Sequence, residues 1–156
     1  MNARTFTQLK RTFYGTFSVA LALSLVACSG SRPAYLGSPQ TALQLCPSSP
    51  NCVSSLDNEE ESHKITPLPF QTAGTNSAKL SAAIERNPSA EIVVNTESYI
   101  YAEYTSDIMG YVDDVEFLII PSQQRIDVRS ASRLGHSDFG VNRQRIEQLR
   151  KQLSEN

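Results

Sequence analysis

Residues 111–146, YVDDVEFLIIPSQQRIDVRSASRLGHSDFGVNRQRI, constrain the fold of this chain more than any other stretch. Val112 to Ile120 and Arg125 to Ser132 both alternate between apolar and polar side chains, the period-two signature of a strand. Between them, Pro121, Ser122, Gln123 and Gln124 make a loop short enough for a hairpin. Pairing Ile120 with Arg125 sets Ile119 against Ile126, Phe117 against Val128 and Val115 against Ser130. That face is apolar and is expected to be buried, with Asp113 and Ser132 at its polar end. The opposite face sets Glu116 across from Arg129, and Asp114 diagonally between Arg129 and Arg133. Cross-strand neighbours lie about 5 Å apart, close enough for direct ion pairs.

The segments around this hairpin complete a small α+β unit. Leu134 to Gly140 is a polar corner, and Asp138 is the expected cap of a final helix carrying Ile146, Leu149 and Leu153 at helical spacing. Upstream, Thr75 or Asn76 is expected to cap a helix running to about Arg86, ended by Asn87-Pro88. Glu91 to Asn95 and Ser98 to Ser106 read as two further strands. Tyr99 and Tyr101 share one face of the second, with Ile100, Ala102 and Tyr104 on the other. Ile65 to Phe70, with two prolines, suits a sheet edge. The expected fold is a four-stranded, mainly antiparallel sheet with one helix before it and one after, preceded by a disulfide-crosslinked loop.

The N-terminus carries Arg4, Lys10 and Arg11 and then an apolar run from Phe13 to Ala27, the layout of a secretory signal. It closes in Leu25-Val26-Ala27-Cys28, which resembles the lipobox of bacterial lipoproteins. The resemblance implies cleavage after Ala27 and acylation of Cys28 with palmitate-like chains. Several such chains, at about 0.8 kcal/mol per buried CH₂, make a lasting anchor. The run is too short and too rich in Ser, Thr and Gly to favour a membrane-spanning helix. Ser at position 29 points to the outer membrane, facing the periplasm. Residues 1–27 are thus expected to be a signal peptide, 28–44 a flexible tether rich in Pro, Gly and Ser, and 45–156 one globular domain.

Outside the cytoplasm, Cys46 and Cys52 are expected to form a disulfide across a loop bent by Pro47 and Pro50. A metal site is disfavoured because only His63 and His136 could join the cysteines as nitrogen ligands. A redox-active pair would want a tighter spacing. The acidic run Asp57 to Glu61 reads as a solvated loop, since it lacks the spacing of a calcium loop. All 16 acids lie beyond residue 50, so without Arg4, Lys10 and Arg11 the chain sets 11 cations against 16 acids, a net charge of −5. That balance argues against a nucleic-acid partner.

CPSSPNCVSS, DDVEF and VRSASRLGHSDFGVNRQRI, in this order, resemble the bacterial and plastid family called domain of unknown function 1499. The resemblance covers roughly Leu36 to Leu153. Cys46 and Cys52 match its paired cysteines, and its polar signature falls on Asp113, Asp114, Glu116, Arg129, Ser130, Ser132, Arg133, Asp138, Asn142 and Arg143. It implies no activity and no cofactor.

Three functions compete for these residues. The expected one is a non-catalytic envelope lipoprotein, held at the membrane by its anchor and partnered by another envelope protein, whose polar cluster supports the fold. The alternative is a small-molecule or anion site in which Arg129, Arg133 and Arg143 donate to a carboxylate or phosphate. A hydrolase is disfavoured, because His136, Ser137 and Asp138 are adjacent in sequence and their side chains diverge.

Overall fold

The computed structural model describes residues 29–71 and 75–155. The leader and Cys28 lie outside the described residues. Five strands, β1 (Cys52–Ser54), β2 (Ala90–Asn95), β3 (Tyr99–Thr105), β4 (Val112–Ile120) and β5 (Arg125–Ser132), form one sheet in the order β1-β5-β4-β3-β2. Every pairing is antiparallel. Two helices, α1 (Asn76–Ile84) and α2 (Val141–Ser154), complete the domain. The hairpin of β4 and β5 has the register expected from its side-chain pattern, with Ile120 opposite Arg125 and Glu116 opposite Arg129. Its loop is a short 3-10 turn, Pro121–Gln123, closed by Gln124 in the left-handed region.

The sheet has one strand more than expected. Three residues are too few to leave an alternating pattern, so the edge strand β1 reads in the sequence as part of the crosslinked loop. It pairs Cys52 with Ala131 and Ser54 with Arg129. Beyond it along the same edge, Leu68 bridges to Ile126, the place that suits a proline-flanked segment.

Both helices pack on one face of the sheet, where the odd-numbered residues of β4 meet the even-numbered residues of β5. Leu80 and Ile84 from α1 and Ile146, Leu149 and Leu153 from α2 bury against Ile100, Val115, Phe117, Ile126 and Val128. Each such side chain contributes about 1.5 to 3 kcal/mol on burial.

The second face is not open to solvent. Leu36 and Leu43 are buried on it, packed with Tyr99 and Tyr101 and flanked by Leu56, Val93, Val94 and Leu118. Residues 29–44, read above as a tether, therefore run across the sheet as a cover. Their small polar composition hides this, because two leucines and one arginine supply the main attachments.

The Cys46–Cys52 disulfide joins the end of that cover to β1, with Cα atoms 5.7 Å apart. Glu59, expected to be solvated, is instead buried and accepts the Cys46 amide at 2.7 Å. Buried Asn51 donates to the Gly135 carbonyl, tying the loop to the corner after β5. Replacing both cysteines by serine is expected to cost about 2 kcal/mol of stability in the chain-entropy account of so short a loop. Thermal melts of the oxidised and substituted proteins measure it. Equal midpoints would mean that the Glu59 and Asn51 bonds hold the loop unaided.

Candidate functional site

Eight of the ten signature residues fall into two groups on opposite faces of the sheet, set for the strand residues by their parity. Asp114, Glu116, Arg129 and Arg133 lie under the cover. Asp113, Ser130, Ser132 and Asn142 lie on the helical face. The sequence places them together only because they alternate along the same strands.

Under the cover, β3 brings Tyr101 beside Glu116 and Glu103 beside Asp114. Arg133 Nε donates to both Asp114 oxygens at 3.0 Å, and its Nη2 reaches Asp114 Oδ1 at 2.7 Å. The same Nη2 lies 2.5 Å from Glu103 Oε1 and 3.0 Å from the Tyr101 hydroxyl. That hydroxyl sits 2.6 Å from Asp114 and 2.7 Å from Glu103. Arg32, from the cover, donates to Glu103 at 2.5 Å with its guanidinium 5.7 Å from the Tyr101 ring centroid. Three guanidinium groups face three carboxylates, so the cluster is neutral.

Its last pair is looser. Arg129 Nη1 is 3.5 Å from Glu116 Oε2, and the buried Arg129 Nε has no hydrogen-bond partner among the described residues. Glu116 has no exposed surface and accepts the Tyr99 hydroxyl at 2.9 Å.

The electrostatics follow from burial and pairing. Burial raises the Glu116 pKa above the ordinary carboxylate value, with Tyr99 and Arg129 opposing the shift only in part. At Glu103, burial pushes the same way but is outweighed by hydrogen bonds from Arg32, Tyr101 and Arg133, which hold the pKa below the usual value. Burial and the adjacent carboxylates push both Tyr99 and Tyr101 well above the ordinary phenol range. Both phenols therefore remain hydrogen-bond donors, and neither is a base near neutral pH. Glu116 has the perturbed acidity found in general acids and bases. Reaching it, however, requires lifting the cover.

On the helical face, the fully buried Asn142 joins α2 to β5 and to Asn51, the residue before β1. Its Nδ2 donates to the Asn51 carbonyl at 3.1 Å and to Ser132 Oγ at 3.0 Å. Its Oδ1 accepts from Ser130 Oγ at 2.5 Å and from Arg145 Nη1 at 2.7 Å. Arg145 then reaches Asp113 at 2.5 Å and lies 4.5 Å over the Tyr104 ring. Burial raises the Tyr104 hydroxyl to about 12.

Asp138 acts on α2 from two positions before the N-cap instead of from the cap itself. Gly140 occupies the N-cap, with φ of 82°, while the Asp138 carboxylate accepts the Gly140 amide at 3.1 Å and the Asn142 amide at 2.7 Å. Arg143 does not join the other two arginines. It donates to the Lys64 and Ser62 carbonyls at 2.7 and 3.1 Å, binding α2 to the chain after β1. His63 is buried with Nδ1 2.9 Å from the Cys52 carbonyl, and His136 is exposed.

Sequence reasoning missed Arg32, Tyr101 and Glu103 as partners of the cluster, and Arg145 as the partner of Asp113. The β3–β4 register would have found Tyr101 and Glu103. Nothing local marks Arg145 among the other cations of α2.

Over residues 42–153 the chain matches the family described as "Protein of unknown function (DUF1499)". The chain belongs to this family. No curated protein and no solved structure matches it. The DUF1499 span takes in both cysteines and the whole polar signature, including the two groups that the sheet separates. Arg32 and Leu36, which close the second face, precede the matched span.

Proposed function

We propose that this DUF1499 member is a non-catalytic envelope lipoprotein, anchored through Cys28, that acts by presenting its surface to a partner. The observation that carries the non-catalytic part is the use made of the signature arginines: Arg133 is spent on Asp114 and Glu103, and Arg143 on two backbone carbonyls. Groups so engaged support the fold and leave little to turn over a substrate. The anchor is supported by Leu25-Val26-Ala27-Cys28 at the end of the apolar leader, and Ser29 favours the outer membrane.

Intact mass of the protein purified from its native envelope is expected to lack residues 1–27 and to carry acyl chains on Cys28. A mass that retains the leader, or that lacks acyl chains, would overturn the anchor. Crosslinking in intact cells followed by purification in mild detergent reads the partner and is expected to recover a second envelope protein.

One observation favours a second reading, an anion site. Arg129 is buried, holds Glu116 only at 3.5 Å and has no partner for its Nε among the described residues. A buried guanidinium with a vacant donor suits a carboxylate or phosphate oxygen. That reading now rests on Arg129, without Arg143. A small anion that co-purifies with the protein and is lost in Arg129→Ala would replace the first reading with this one.

A further inference from the structure

Among the described residues, eight large apolar side chains stand exposed, and six of them fall in two neighbouring segments. Ile108, Met109 and Tyr111 belong to the turn between β3 and β4; Leu134, Phe139 and Val141 belong to the corner between β5 and α2. The two segments meet at one end of the sheet, where the Arg133 amide donates to the Val112 carbonyl. Tyr111, Leu134, Phe139 and Val141 line one shallow cleft of about 360 Å³ there. Ile108 is 94% exposed and Phe139 93% exposed, so neither contributes to the core. Phe139 also sits at φ of 55°, a left-handed backbone that a bulky residue adopts at a cost. Apolar side chains concentrated in this way mark an interaction surface rather than chance exposure.

The path of the chain identifies the occupant. Gly30 lies against this same end: a Cβ there would stand 3.2 Å from Arg133 Cβ and from Leu134 Cγ. Glycine suits both that close approach and its φ of 67°, where a side chain would be strained. Cys28 precedes Gly30 by two residues, a reach of about 7 Å at most. An acyl chain on Cys28 therefore enters the bilayer next to the exposed apolar end. The two segments, residues 106–111 and 133–141, carry Asp107, Asp138 and Arg133 as their only Asp, Glu, Lys or Arg residues. Arg133 is occupied and its side chain is 6% exposed. The surface thus lacks the basic residues that recognise anionic headgroups.

We propose that this end of the sheet lies flat against the bilayer that holds the Cys28 acyl chains, with Ile108 and Phe139 entering the boundary between headgroups and acyl chains. This rests on the lipid-anchor reading above and adds an orientation to it: the β4–β5 turn points away from the membrane. The contact is apolar, as for side chains on the buried face of an interfacial helix, and is insensitive to salt.

The test uses the acylated protein reconstituted in phosphatidylcholine vesicles. An environment-sensitive fluorophore is placed on a single added cysteine, Ile108→Cys or Phe139→Cys, with Gln123→Cys at the opposite end of the hairpin as the control. All three positions are exposed, so the fold should tolerate the change. Lipids carrying a shallow nitroxide quencher are expected to quench positions 108 and 139 at least fivefold more than position 123, in low and high salt alike. Equal quenching at the three positions, in protein that carries acyl chains and floats with the vesicles, overturns the docking surface and leaves the anchor standing. Protein that lacks acyl chains and stays in solution overturns both. Shielding that tracks the number of proteins per vesicle instead of the lipid quencher assigns the surface to a second copy and overturns the proposal.

Discussion

Arg133→Ala is expected to lower the unfolding free energy by about 3 to 5 kcal/mol, the range for breaking a buried ion pair by removing one partner. The Arg133 side chain is 6% exposed, and its removal leaves Asp114 and Glu103 facing each other across the Tyr101 hydroxyl. Arg32 would still contact Glu103, but it is 43% exposed and compensates little. Arg133→Lys should recover only part of the loss, since an ammonium cannot reach both carboxylates with the geometry of a forked guanidinium. Denaturant melts at constant slope measure the difference. A loss below about 1 kcal/mol would show the cluster to be dispensable and would contradict the burial argument.

Arg129→Ala should cost about 3 kcal/mol near neutral pH, toward the low end of the same range because its contact with Glu116 is long. The pH dependence gives a second readout. Glu116 already titrates above its ordinary value in the folded protein, and loss of the nearby cation moves it further in that direction. The folded state then holds this proton more tightly than the unfolded chain does. Stability of the variant should therefore fall as pH rises from the unfolded value to the folded one, and its deficit against the parent should narrow in acid. Glu116→Leu with Arg129→Met removes both charges and should restore most of the loss. The anion-site reading predicts the opposite pattern: an unchanged midpoint for Arg129→Ala, with a co-purifying ligand lost.

The hairpin was legible because two constraints agree within it. The apolar alternation of β4 and β5 and the opposition of Glu116 to Arg129 each specify the same register, and the structure has that register. Alternation alone puts Tyr99 and Tyr101 on one side of β3, and the two do share a face, buried with Leu36 and Leu43. What the sequence concealed has no period. β1 is three residues long, and the cover over the second face attaches through isolated side chains. Arg145 was illegible for a different reason. Cations recur around α2, and only its packing decides that this one meets Asp113 and Tyr104 while Arg143 turns to the chain after β1. The polar signature looked like one site because strand neighbours alternate in sequence, although they point to opposite sides of the sheet.

The disulfide also sets how the domain bears tension. A pull on the N-terminal end of residues 29–45 first strips the cover from the second face, breaking the Arg32 pair and exposing Leu36 and Leu43. It then reaches Cys46, where the load passes through the covalent bridge to Cys52 and the loop between them stays slack. Cys52 is fixed to β5 by antiparallel ladder bonds at the sheet edge. The crosslink is therefore the point at which unravelling from the N-terminal side meets the sheet, and the charged cluster is unroofed before the helical core is strained.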